Sequence, residues 1–187
     1  YMYSEDGGRS WGEAVTVCQD PSGRIFNWDQ RAGVAKDGRL ATFTWTYDSE
    51  TTRYLNIHRR ISGTEGESWT VAKDLGFADQ ASVPAMLPDG RVLLVWVDRF
   101  GSQSIRARVA PALDAPFAPE SEVELYRLGT AARTVAGEGD TGELLSEMGA
   151  WSYGLPHAEV LSDGDVLAVY YAGEDDRMDV CWVRLAP

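Results

Sequence analysis

Lysine is almost missing from this chain. Of 187 residues only Lys36 and Lys73 are lysine, and the 17 basic residues are otherwise arginine against 29 acidic ones, a net charge of −12. So acidic a chain offers no clustered positive charge, which argues against nucleic acid and against a membrane surface as partners. Two histidines, His58 and His157, and two cysteines, Cys18 and Cys181, are too few and too widely spaced for a zinc pattern. The cysteines read as two reduced, buried thiols, with a disulfide as the other option. No apolar run approaches the length of a membrane span, and no secretory leader is present. No helical period lasts beyond about two turns. No cofactor and no metal are expected.

What is there is aromatic and punctuated. Seven Trp and eight Tyr within a hydrophobic fraction of 44% can build the core of one domain. The octapeptide Ser4-Glu5-Asp6-Gly7-Gly8-Arg9-Ser10-Trp11 combines a carboxylate able to accept backbone N–H groups, two glycines free to take positive φ, and a large apolar plug. It predicts a rigid hairpin corner pinned to a core by Trp11. A worn copy follows at Ser62-Gly63-Thr64-Glu65-Gly66-Glu67-Ser68-Trp69, its Trp 58 positions after the first.

A second repeat is a strand pair around Asp-Gly, at Asp37-Gly38, Asp89-Gly90 and Asp163-Gly164. Asp-Gly between apolar runs predicts a β-hairpin with a type I′ turn. A third strand is predicted after each pair, at Tyr54–Ile61, Ser104–Val109 and Met178–Leu185. Self-similar all-β units of three or four strands predict a β-propeller more readily than a sandwich. The organisation reads as a tail in 1–20, blades at 21–80 and 81–130, a rim loop at 131–144, and a last blade at 145–187. The start in mid-motif, at Tyr1-Met2-Tyr3-Ser4, leads us to expect that the natural N-terminus lies upstream.

The S-x-D-x-G-x-S-W octapeptide, the Asp-Gly strand pairs and the closing Val-Leu-Ala-Val-Tyr-Tyr-Ala-Gly together resemble the sialidase (neuraminidase) superfamily, the BNR or Asp-box repeat proteins. The resemblance implies a six-bladed β-propeller of four-stranded antiparallel blades, with about three and a half blades in this chain and the look of a C-terminal half. The rest of the propeller, or a second copy, would be needed to close the ring. It also implies an exo-acting glycoside hydrolase on a carbohydrate, possible acidic sugars included. The alternatives are a non-catalytic carbohydrate-binding propeller and a structural one. A bacterial source is expected, with secretion and the cytoplasm both open.

Aligned on Asp-Gly, Arg31, Val83 and His157 fall at one place, each near the start of an inner strand at the axis. Asn27-Trp28-Asp29-Gln30-Arg31 is the densest polar constellation there. Arg31 suits a carboxylate or hydroxyl clamp. Asp29 reads as an acid, a base or simply the partner of Arg31. Trp28 could stack on a sugar or belong to the core, and Gln30 could contact substrate. The family uses an arginine triad, a Tyr–Glu nucleophile pair and an Asp acid/base. By resemblance Tyr153 takes the nucleophile's part, with Glu147 or Glu143 beside it, and Trp151 and Arg133 bind substrate. Arg31 and either Arg99 or Arg133 would be triad members. Counting back from Asp163, however, puts His157 rather than Tyr153 nearest the family's Tyr position, and an imidazole there could shuttle protons. His58 shares a strand face with Tyr54 and Asn56 and reads as facing solvent or bonding between blades. Gly173-Glu174-Asp175-Asp176 reads as a solvated hairpin tip rather than a calcium loop.

Overall fold

The computed structural model describes residues 1–129, 151–174 and 177–187. The described residues are all-β, in three antiparallel sheets that follow one another along the chain. The first holds β1 (Ile25–Val34), β2 (Leu40–Asp48), β4 (His58–Ser62) and β5 (Lys73–Asp74) in that order, with the short β3 (Arg53–Tyr54) also on β2. The second runs β10 (Val123–Arg127), β9 (Ser104–Ala110), β8 (Val92–Asp98), β6 (Gln80–Ala81), with β7 (Ala85–Met86) also on β8. The third is β11 (Tyr153–Val160), β12 (Val166–Glu174) and β13 (Arg177–Leu185). The predicted rim loop lies outside the described residues.

The Asp-Gly hairpins form where the sequence puts them, but with a different turn. Gly38 N–H donates to the Ala35 carbonyl and Ala35 N–H to that of Arg39, so the loop holds three residues, not two. The same pair of bonds closes Leu87 to Arg91 and Leu161 to Asp165. Only the glycines take positive φ, at +85° for Gly38 and +93° for Gly90 and Gly164. A type I′ turn needs positive φ at both central residues, so the expected turn is replaced by a type I turn with a bulged left-handed glycine. The aspartates stay in ordinary conformations and accept the N–H two residues on, as Asp37 does from Arg39 at 3.1 Å.

The two octapeptide turns share their hydrogen bonds at the 58-residue offset. Gly8 N–H donates to Ser4 Oγ at 2.7 Å, and Gly66 N–H to Ser62 Oγ at 2.9 Å. Ser10 N–H donates to Asp6 Oδ1 at 2.9 Å, and Ser68 N–H to Thr64 Oγ1 at 2.9 Å, so a hydroxyl replaces the carboxylate without loss of the turn. Trp69 is half-buried and donates from Nε1 to the Gly66 carbonyl, whereas Trp11 stays 59% exposed. The expected plug is therefore not made by Trp11 in this structure.

Strand alternation builds two cores. On β8, Val92, Leu94 and Trp96 face the first sheet and pack with Ala41, Phe43, Phe77 and Phe117. Leu93, Val95 and Val97 face the third and pack with Ala158, Val166, Ala168 and Tyr170. A strand buried on both faces must be apolar at every position, which is why β8 reads Val-Leu-Leu-Val-Trp-Val. The broken inner strand of the second sheet, β6 and β7, touches both β1 and β11. At that approach Gly33 has no room for a side chain, since a Cβ there would stand 2.7 Å from Pro84 Cγ. Cys18 and Cys181 are both free thiols and half-buried.

Candidate functional site

All three inner strands are irregular at one repeat position, eight residues before the Asp of Asp-Gly. β1 slips register between Trp28 and Arg31, with Asp29 at φ +43°. β11 slips between Gly154 and His157, with Leu155 at φ +45°. At the equivalent place the second sheet's inner strand breaks between Ala81 and Ala85. A bulge re-aims the side chain that carries it. Here it turns Asp29 toward the second sheet, and strain at a left-handed non-glycine residue persists only where surroundings enforce it.

A chain of polar contacts crosses the three strands at this level. Arg31 Nη2 pairs with Asp29 Oδ1 at 2.7 Å, both side chains about a quarter exposed. Asp29 Oδ2 accepts from Gln80 Nε2 at 2.6 Å. Gln80 Oε1 in turn accepts from Arg99 Nη2 at 2.9 Å and from the Leu155 backbone N–H at 3.2 Å. The buried Arg99 pairs through Nη1 with the fully buried Asp79 at 3.0 Å, and its own N–H bonds the other oxygen. Burial pushes the Asp79 carboxyl up to about 6, while the Arg99 cation pulls it down. The guanidinium lies 4.1 Å from the centre of the Trp151 ring and 5.4 Å from that of Trp45. At Gly154 a Cβ would meet Arg99 Nη2 at 2.3 Å, so this position must be glycine for the arginine to pass. The Nε atoms of Arg31 and Arg99 and the indole N–H groups of Trp45 and Trp151 are buried without a hydrogen-bond partner among the described residues.

The residues singled out from sequence divide accordingly. Asp29 and Arg31 are paired, each about a quarter exposed, and held from behind by Gln80. Trp28 stacks on Tyr47 at 5.4 Å and meets Trp45 edge-on at 6.0 Å, so Tyr47 covers one of its faces. Trp151 is buried under Arg99 and offers no open face to a sugar. Gln30 is exposed and donates to Cys18 Sγ at 3.6 Å. Tyr153 lies in the core between the second and third sheets, 5.5 Å from Tyr126. Burial raises its proton affinity well above the usual phenol range, the opposite of what activates a nucleophile. His157 sits on the outward face of β11, 4.0 Å from Glu159, and is not part of the polar chain. His58 is half-buried and burial lowers its proton affinity. Arg133, Glu143 and Glu147 lie outside the described residues, as do Asp175 and Asp176.

Asp79 and Gln80 are the residues that sequence reading passed over. The signal was present: extending the Asp-Gly alignment by two positions sets Asp79-Gln80-Ala81 on Asn27-Trp28-Asp29. Among the described residues no group of three His, Cys, Asp or Glu could hold a metal ion.

No family model and no curated protein matches the sequence. Solved structures do. A Dyadobacter fermentans protein of unknown function matches with a TM-score of 0.65 at 23% identity, over 98% of this chain and 44% of its own. The intramolecular trans-sialidase from Ruminococcus gnavus, in complex with oseltamivir carboxylate, matches at 0.59 and 16% identity over 98% of this chain and 37% of its own. A leech intramolecular trans-sialidase complexed with 2,7-anhydro-Neu5Ac matches at 0.59 and 16% over 99% and 27%. The chain thus shares its fold with these proteins and spans less than half the length of each.

Proposed function

We propose that this chain is part of a sialidase-like six-bladed propeller that binds a carbohydrate at its axis, and that the protein is an exo-acting glycoside hydrolase. The observation that carries this reading is the Arg31–Asp29 pair, each side chain about a quarter exposed, at the meeting of three inner strands, with Asp29 fixed from behind by Gln80. A guanidinium oriented by one carboxylate and partly exposed to solvent is a fit for the carboxylate or paired hydroxyls of a sugar. The fold shared with two trans-sialidases supports the ligand class; chemistry has to be argued from the site. In this reading Asp29 also serves as acid or base.

A second reading, a binding propeller without turnover, is favoured by one feature. Tyr153 is buried with a raised proton affinity, so the described residues supply no activated nucleophile.

The test uses the full-length protein and a panel of acidic and neutral glycosides, read by calorimetry and by sugar release. Arg31→Ala should weaken binding of the preferred sugar about a hundredfold with unchanged circular dichroism, the loss expected for a bidentate charged contact. Under the hydrolase reading Asp29→Asn keeps binding and slows turnover by about a hundredfold or more. Binding that survives Arg31→Ala intact contradicts both readings, and binding by the wild type with no sugar released selects the second.

A further inference from the structure

A single buried side chain touches both neighbouring inner strands at the point where each bulges. Gln80 stands on β6 and is 3% exposed. Its Nε2 donates to Asp29 Oδ2 on β1 at 2.6 Å, and its Oε1 accepts from the Leu155 backbone N–H on β11 at 3.2 Å. Asp29 and Leu155 are the residues at φ +43° and +45° in those strands. Left-handed angles are costly for a side chain as bulky as leucine, and they persist only where the surroundings hold them. At both bulges the same amide supplies a hydrogen bond.

The orientation of that amide is forced. A guanidinium and a backbone N–H can only donate. Arg99 Nη2 and the Leu155 N–H meet the same Gln80 atom, at 2.9 and 3.2 Å, so that atom is the oxygen. The NH2 group is left facing Asp29, whose other oxygen takes Arg31 Nη2 at 2.7 Å. Asp29 is therefore gripped between two donors, one from its own strand and one from the second sheet. Two charge-assisted bonds on the two oxygens fix the plane of a carboxylate, and a guanidinium bonded to it takes its position from that plane. Arg99 already has Asp79 and the Tyr153 carbonyl as acceptors, so its own needs do not explain a glutamine that reaches 51 positions along the chain to Asp29.

We infer that Gln80 is a positioning residue of this site: it clamps the bulges of β1 and β11 and, through Asp29, aims Arg31 at its ligand. The aim rests on the reading of Arg31 and Asp29 as the sugar-binding pair; the clamp does not. Gln80→Glu keeps the shape and exposes the role. Protonated, the new carboxyl preserves the pattern, its carbonyl oxygen accepting from Arg99 and Leu155 and its O–H donating to Asp29. Ionised, it sets a second anion against Asp29 Oδ2. Two carboxyls in such contact share one proton and release it only at raised pH. Sugar binding by the variant is thus present at low pH and lost as pH rises. The charged and titratable groups around position 80 are Asp29 and Arg31 on β1, Asp79 beside it, Asp98 and Arg99 at the end of β8, and Tyr153 on β11. All of them stand in the wild type too, so the ratio of the two profiles isolates position 80.

Calorimetry on the full-length protein with the glycoside panel measures that ratio. From about pH 5 to about pH 8 the affinity of Gln80→Glu relative to wild type should fall by about tenfold or more. Adding Asp29→Asn should remove the fall, because amide and carboxylate then exchange places and every hydrogen bond is kept, and should bring binding to within about threefold of Asp29→Asn alone. Gln80→Met, of similar shape and without a charge, should weaken binding about tenfold at every pH. Hydrogen exchange in the sugar-free protein reads the clamp by itself. The Leu155 amide and the Gln80 side-chain protons should exchange slowly in the wild type. Gln80→Met should release the first and Asp29→Ala the second. Slow exchange in a protein that binds no glycoside supports the clamp and overturns the sugar reading. Fast exchange of both in the wild type, a Gln80→Glu profile parallel to wild type, or undiminished binding by Gln80→Met overturns the inference.

Discussion

At the scale of the residue, Arg99 is the centre on which the chain of polar contacts depends. It is buried, stacked on Trp151, and bonded to Asp79 and Gln80 and, at 3.4 Å, to the Tyr153 carbonyl. Removing one partner of a buried ion pair leaves the other charged or forces it to take a proton. Arg99→Ala should therefore cost about 3–5 kcal/mol in urea unfolding, and Arg99→Lys should recover little, since an ammonium lacks the planar fork that reaches three acceptors. A loss below about 1 kcal/mol would show that the pair behaves as a surface one. Asp6 is a titrating residue with a clear sign. The Ser10 hydroxyl and N–H hold its carboxyl down to about 2 from 3.8. A depressed value means the stabilisation is complete above the ordinary carboxylate range and is lost as pH falls through about 2. The Ser10 amide should thus lose its protection and shift in NMR spectra between pH 4 and 2, and Asp6→Asn should abolish that titration.

At the scale of the element, two glycines test two different physical demands. Gly38 has φ +85° and open space around its Cβ position, so Gly38→Ala meets only backbone strain, roughly 1–2 kcal/mol. Gly33 needs no special conformation but has Pro84 and Met86 against it, so Gly33→Ala forces the inner strands of the first and second sheets apart. Overpacking of that kind costs about 1–3 kcal/mol. Thermal melts separate the cases, because Gly38→Asn should recover most of the loss through its tolerance of left-handed angles while Gly33→Asn should worsen it. Strand placement was plain in the sequence from period-two patterning and Asp-Gly. The inner strand of the second sheet was not: β6 and β7 are two residues each, and Pro84, which has no N–H to give to a ladder, stands in the break between them.

At the scale of the whole molecule, β8 is the element that makes three sheets into one body. Trp96 packs 4.4 Å from Phe77 in the core with the first sheet, while Val95 and Val97 hold the third. Trp96→Ala should destabilise by about 3–5 kcal/mol. Hydrogen exchange should show β2 and β8 opening together in that variant while β11 and β12 keep their protection. Loss of protection spread evenly over all three sheets would mean that the two cores are a single cooperative unit.

The sequence by itself determined the all-β class, the hairpins, the paired octapeptide turns and the candidate pair Asp29 and Arg31, because each follows from short-range rules of periodicity, turn chemistry and repeat spacing. Only the tertiary structure decided what the aromatic and ionisable side chains do. Trp28 read from sequence as site or core, and Trp151 and Tyr153 as site, and packing put all three among other aromatic rings. Gln80 and Arg99 join the site through contacts with residues 51 and 54 positions away, to Asp29 and the Tyr153 carbonyl. No local rule reaches that far. A hydrogen bond between distant positions exists only once three sheets have docked, and whether a buried carboxyl or phenol is pushed up or down depends on the charges that docking brings beside it.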